Sequence, residues 1–250
     1  MCQKCHQCTT GHPAYCHIHP FVNHNAVRLE DRSTPARLAE DDKTSVRSQY
    51  FGQSSFARHS VVKEKCVVKC TEPDAMPYLS AMGCGFQTGA GTVLNVLKPK
   101  PEESIVIFGL GGVGLTALMA AVSMGVKKIV GVDIVPSKLE LAKSMGATDL
   151  INSKESKDVV ADIKKACEAT SGATYSIDCT GVLKVIEKCI ECLAPCGTAA
   201  TVGVPPPGGK IEIDALTFLL ENKRYIGVIE GDSDPQKVGQ DLLLHSVPST

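Results

Sequence analysis

The sequence predicts an α/β fold: a doubly wound, parallel six-stranded sheet fills its second half, and a small cysteine-rich lobe opens its first. Two observations carry this. From about residue 103, short β-branched runs alternate with stretches of helical period, the pattern of consecutive βαβ units. Ahead of them Cys2, Cys5, Cys8 and Cys16 stand in a C-x2-C-x2-C-x7-C array, a spacing that suits a closed, four-thiolate structural Zn²⁺ site.

The elements follow in order. After the cysteines, residues 17 to 60 are rich in turn formers, with His17, His19, Pro20, His24 and a charged run from Arg28 to Asp42, and read as an irregular excursion. Ser60–Lys69 alternates apolar and polar residues and predicts strand structure. Cys84–Leu97 reads as a connecting helix. Six strands are then expected at Ile105–Phe108, Ile129–Asp133, Asp149–Ile151, Tyr175–Asp178, Ala199–Gly203 and Tyr225–Ile229. Helices are expected near Leu115–Met124, Ser137–Ser144, Lys157–Ala169, Leu183–Leu193 and Asp214–Glu221, with another beginning in Pro235–His245. Two domains are expected, residues 1–83 around the lobe and 84–250 for connector and sheet.

Bulk properties narrow the function. The 250 residues are 43% hydrophobic and 21% charged, ordinary for a globular domain. Twenty-six basic residues balance 27 acidic ones with no long Lys/Arg run, which argues against nucleic acid and for a small-molecule partner. Twelve cysteines without a charged-then-apolar leader suggest a reducing compartment, the cytoplasm, rather than a disulfide framework. Ile105–Val126 runs 22 residues without a charge, long enough for a membrane span, but five glycines interrupt it, so no membrane segment is expected.

Gly109, Gly111 and Gly114 form G-x-G-x-x-G between the first strand of the sheet and a helix. The first permits a tight turn, the second lets backbone approach a pyrophosphate, and the third allows close helix packing. Asp133 ends the next strand, where a carboxylate meets the 2′- and 3′-hydroxyls of an adenosine ribose and repels a 2′-phosphate. The bland alternatives are a glycine-rich turn without ligand, and an Asp that caps the following helix at Pro136–Ser137; the two Asp roles are compatible.

In this order the landmarks resemble the zinc-dependent medium-chain alcohol dehydrogenases: the four-cysteine lobe, Gly83-Cys84-Gly85, the GLGGVG turn at 109–114, and Asp133 followed by Lys138. Residues 51–62 and 226–235 are similar to the aryl-alcohol (benzyl-alcohol) branch. The resemblance implies a Rossmann domain joined to a partial GroES-like catalytic domain. It implies NAD binding by Thr88, Gly109, Gly111, Gly112, Val113, Gly114, Asp133, Lys138, Val202, Val204 and Ile229. Cys2, Cys5, Cys8 and Cys16 would hold structural zinc, and Cys84 would be one ligand of a catalytic zinc.

By the same resemblance the other ligands of that zinc, and the hydroxyl that starts the proton relay, precede the lobe. The chain therefore reads as a central cut of the family, truncated at both ends, with no catalytic residue assigned beyond the ligand Cys84. His6, His12, His17, His19 and His24 sit in or beside the lobe, where they are expected to be solvent-exposed or to swap into its zinc site, and His59 is a single histidine without paired metal spacing. Cys66, Cys70, Cys189, Cys192 and Cys196 read as buried thiols, and a buried thiol is also the bland reading of Cys84. The expected activity is hydride transfer between a primary, aryl alcohol or its aldehyde and NAD. The rival is an inactive zinc- and NAD-binding fragment, and pairing of two copies through Tyr225–Ile229 is expected in either case.

Overall fold

The structure, a computed structural model, describes residues 2–234 apart from 29, 42, 52–56, 63, 65–66, 71–73 and 75. The chain separates into two units, Met1–Pro77 with Asp234–Thr250, and Tyr78–Ser233.

The first unit is built from short pieces: helix α1 (His6–Thr9), a 3-10 turn over Pro13–Tyr15, helix α2 (His19–His24), and a minimal antiparallel pair of β1 (Ala36–Arg37) and β2 (Ser45–Val46). The excursion expected from residue 17 is thus only partly irregular. Edge-to-face ring contacts join His24 to Tyr50 and Phe51, and the Phe51 N–H donates to the Asn23 carbonyl at 3.0 Å. The strands expected over Ser60–Lys69 are absent among its described residues. Their valines find no sheet face to cover: Val61 is 98% exposed, Val67 47%. Residue 66 and the helix expected over Pro235–His245 lie outside the described residues.

Helix α3 (Met76–Leu79) spans the boundary, and the second unit continues in a helical run whose middle is α4 (Gln87–Gly91), flanked by wider π turns at Met82–Phe86 and Thr92–Leu97. The expected connecting helix is therefore present, with uneven winding. Lys98 ends it in the left-handed region at φ 49°.

Six strands then form one parallel sheet: β3 (Ser104–Phe108), β4 (Lys128–Asp133), β5 (Asp149–Asn152), β6 (Ala173–Asp178), β7 (Leu193–Thr201) and β8 (Arg224–Gly227). Their order is β5-β4-β3-β6-β7-β8, two mirrored halves that meet between β3 and β6. Every residue of β3 is buried, as a central parallel strand covered on both faces requires. Crossover helices α5 (Gly112–Ser123), α6 (Pro136–Ser144), α7 (Val159–Ala166), α8 (Leu183–Glu191) and α9 (Ala215–Leu220) link the strands. The uncharged run 105–126 becomes strand, turn and helix, and no described helix is long and apolar enough to cross a membrane.

Two expectations need correction. The fifth sheet strand begins at Leu193 instead of Ala199, because Pro195-Cys196-Gly197 bulges within the strand without ending it. Its register jumps between Ala173/Leu193 and Tyr175/Thr198, and Cys196 takes φ 64°. Cys196 is also exposed, not buried, whereas Cys189 and Cys192 are buried as expected. Cys70 is intermediate.

Candidate cofactor and metal sites

The backbone between β3 and α5 doubles back at Gly109, whose φ of 89° is open to glycine at little cost. Its N–H donates to the Val132 carbonyl at 2.8 Å, which ties the turn to β4. Gly114 allows α5 to begin against that turn, since a Cβ there would stand 1.9 Å from the Gly109 carbonyl oxygen. Gly111 and Gly112 are different. Both are exposed, and a Cβ on either would meet nothing within 4 Å. Neither is needed for packing, so what they keep clear is an approach from outside to the first turn of α5, where no side chain caps the N–H groups.

Asp133 closes one side of this turn. Its Oδ2 accepts from the Leu110 N–H at 2.7 Å, and its Oδ1 from the N–H groups of Ile134 and Val135 at 2.7 and 2.9 Å. These bonds stop short of the helix at Pro136–Ser137, which has no side-chain cap, so the capping alternative is not realised, while Oδ2 retains accepting capacity toward a ribose hydroxyl. Lys138 Nζ stands 3.9 Å from Oδ2 and is half exposed. Glycine turn, uncapped helix start and strand-end carboxylate together could hold the pyrophosphate and ribose of a dinucleotide.

The residues expected around the nicotinamide half include several at the ends of β6 to β8. Asp178, fully buried, accepts from the Thr180 N–H at 2.9 Å and its hydroxyl at 2.6 Å, and shapes the turn after β6. Burial nevertheless raises its carboxyl above the ordinary range. The N–H groups of Val202 and Gly203 donate to the Asp178 carbonyl, and Val204 emerges beyond them 90% exposed. Ile229 is 42% exposed after β8. Thr88 is buried on α4, next in sequence to Gly89, whose backbone packs against Val113 on the first turn of α5. A Cβ at Gly89 would stand 2.0 Å from the Val113 carbonyl oxygen.

The sulfurs of Cys2, Cys5, Cys8 and Cys16 all lie within 4.8 Å of one another. Four sulfurs bound about 2.3 Å from one zinc would be spaced about 3.8 Å apart, so the set fits the metal. Cys5 starts α1, Cys8 rides on it, and Cys16 ends the 3-10 turn. The Cys2 and Cys5 N–H groups already donate to the Cys16 and Cys2 sulfurs, at 3.2 and 3.3 Å. Hydrogen bonding, chiefly from the Lys4 backbone, holds the Cys2 thiol down to about 6, whereas burial pushes Cys8 up to about 11.

Cys84 is exposed, contrary to the buried-thiol alternative, and its sulfur is 3.8 Å from Glu230 Oε1. Burial of the sulfur itself and the Glu230 charge raise its thiol above the ordinary value. Among the described residues, only the four-cysteine lobe gathers three or more metal-ligating side chains. The described residues around Cys84 do not complete a catalytic zinc site. Sequence reasoning missed the Glu230 side chain and Gln87, whose Nε2 donates to Glu230 Oε2 at 2.9 Å; only the small-residue run Gln87–Gly91 hinted at a tightly packed site there.

The model of the zinc-binding dehydrogenases matches residues 112–244. The chain belongs to the zinc-binding dehydrogenases. It is 36% identical to the geraniol dehydrogenase of Castellaniella defragrans over 237 residues, covering 94% of this chain and 62% of that protein. Among solved structures, it is similar to an alcohol dehydrogenase zinc-binding domain protein from Burkholderia ambifaria (38% identity, TM-score 0.89). It is also similar to benzyl alcohol dehydrogenase from Acinetobacter calcoaceticus (38% identity, TM-score 0.85). Each match covers 97% of this chain and 64% of the other. The chain thus spans under two thirds of these relatives.

Proposed function

We propose that the chain serves NAD-dependent alcohol oxidation, with hydride passing between a primary, aryl alcohol and NAD. The observation that carries this reading is the turn at Gly109–Gly114, where two exposed glycines leave the first turn of α5 open beside Asp133. When bound, NAD accepts the hydride at its nicotinamide ring. The chain's own part is to hold the pyrophosphate on the N–H groups at 112–114, the adenosine ribose on Asp133 and Lys138, and the nicotinamide half among Thr88, Val113, Val202, Val204 and Ile229. Similarity to a benzyl alcohol dehydrogenase supports the aryl substrate. Zinc in the four-cysteine lobe has a structural part.

A second reading, an inactive zinc- and NAD-binding protein, is favoured by the absence of further ligands near Cys84 among the described residues. In both readings two copies pair through Tyr225–Ile229, the segment that carries most of β8, last in the strand order of the sheet. Leu216, Leu219 and Leu220 of α9, 64 to 74% exposed, provide apolar area nearby. Every described cysteine is a free thiol, which supports the reducing cytoplasm. Zinc analysis, NAD titration and an assay for NADH formation from benzyl alcohol test the proposal. Metal-dependent oxidation supports the dehydrogenase; NAD binding with one zinc per chain and no turnover supports the second reading; failure to bind NAD sinks both.

A further inference from the structure

Beyond β8 the chain makes an unusual turn. Glu230, Gly231 and Asp232 all occupy the left-handed region, at φ 51°, 64° and 47°, two of them with side chains that disfavour it. The turn is fastened to the helical run 82–97. A Cβ at Gly231 would stand 2.4 Å from the Gln87 carbonyl oxygen, and Asn95 Nδ2 donates to the Gly231 carbonyl and the Ser233 hydroxyl, each at 3.1 Å. The outcome is a fixed position for one carboxylate. Glu230 Oε2 accepts from Gln87 Nε2 at 2.9 Å and from the Thr88 hydroxyl at 3.4 Å, while Oε1 faces the Cys84 sulfur at 3.8 Å.

Two features of this carboxylate point beyond packing. All three groups around it are neutral donors, and none of the ion pairs among the described residues includes it. Among the described residues its carboxylate is therefore held in place by neutral donors, without a cationic partner. Its location is also informative. A doubly wound sheet seats one mononucleotide on each half. Asp133 marks the half over β3 to β5 for adenosine, so the second base lies over the ends of β6 to β8, bounded by the helical run that touches Val113. Glu230 stands at the end of β8 against that run.

The oxidised nicotinamide ring is a cation and the reduced ring is neutral, whereas the ADP-ribose parts of the two forms are the same. A fixed, uncompensated anion beside the ring is the kind of group that separates them. We propose that the Glu230 carboxylate makes this site favour NAD⁺ over NADH, as a charge-based selector of the cofactor's oxidation state. Gln87 and Thr88 act as positioning residues that hold the carboxylate in place. The inference rests on the dinucleotide reading given under Proposed function.

The test is equilibrium binding of NAD⁺, NADH and ADP-ribose to the purified 250-residue chain, by calorimetry or fluorescence, for the unmodified protein, Glu230→Gln and Glu230→Asp. Glu230→Gln is expected to raise the NAD⁺ Kd about tenfold relative to the NADH Kd. ADP-ribose, which has no ring, should bind as before, and Glu230→Asp should keep most of the preference. Equal losses for both dinucleotides, or a loss for ADP-ribose, would reveal a merely structural side chain and overturn the inference. An unchanged NAD⁺/NADH ratio would overturn it as well. If the unmodified chain binds ADP-ribose but neither dinucleotide, the nicotinamide half-site fails. If it binds none of the three, the dinucleotide reading itself fails.

Discussion

Gly112 and Gly114 are two residues apart and do opposite things. Gly114 is a packing glycine, with a neighbouring carbonyl where its Cβ would be, while Gly112 has open space on that side. This separates a ligand role from a structural one by a single substitution. Gly112→Ala puts a better helix former at the first position of α5, so stability should stay within about 1 kcal/mol of the parent or rise slightly. The added methyl stands in the way of a pyrophosphate, and dinucleotide affinity should fall by about tenfold or more. Parallel urea unfolding and NADH titration check both halves. Unchanged affinity would mean that the glycine turn is only a turn. Asp133 shows why sequence could assign a residue's neighbourhood yet not its full duty. Strand-end position marks it as a ribose contact, but the three N–H groups it satisfies become visible only once Leu110 is folded back over β4.

At the level of elements, the parallel strands were the most legible, because strands buried on both faces must be written as continuous apolar runs. The limits of that signal are as clear. β7 hides its first half behind Pro195-Cys196-Gly197, residues that normally end a strand and here make a bulge. Ser60–Lys69 has the alternation of a strand without a partner strand among its described residues. The contact between Cys84 and Glu230 joins residues 146 positions apart, a pairing no local pattern encodes. A tight joint between elements is α4 on α5, where a Cβ at Gly89 would come within 2.9 Å of three atoms, two of them backbone. Gly89→Ala should therefore destabilise the second unit by about 3 kcal/mol, as overpacking against backbone does. The midpoint of chemical denaturation checks it, and a change below about 0.5 kcal/mol would refute the packing argument.

For the molecule as a whole, the two units draw stability from different sources: a large apolar core around the sheet, and four sulfurs in the lobe. Removing zinc should unfold the lobe while leaving the sheet's far-ultraviolet signal and NAD affinity largely in place. Acid should do the same. Zinc binding displaces thiol protons, so affinity should fall as pH drops toward about 6, where even Cys2 takes up its proton, and should keep rising toward about 11, where Cys8 gives up its own. Chelator competition at several pH values measures this slope, and a flat profile would exclude thiolate ligation. The close fit of Gly89 against α5 also bears on how such proteins can be recombined. Residues 85–91 and 109–117 are matched surfaces, so a chimaera that inherits them from different parents must reconcile two shapes at one joint. Crossovers placed before residue 78 or after 123 keep the pair together, and exchange between lineages should be tolerated there first.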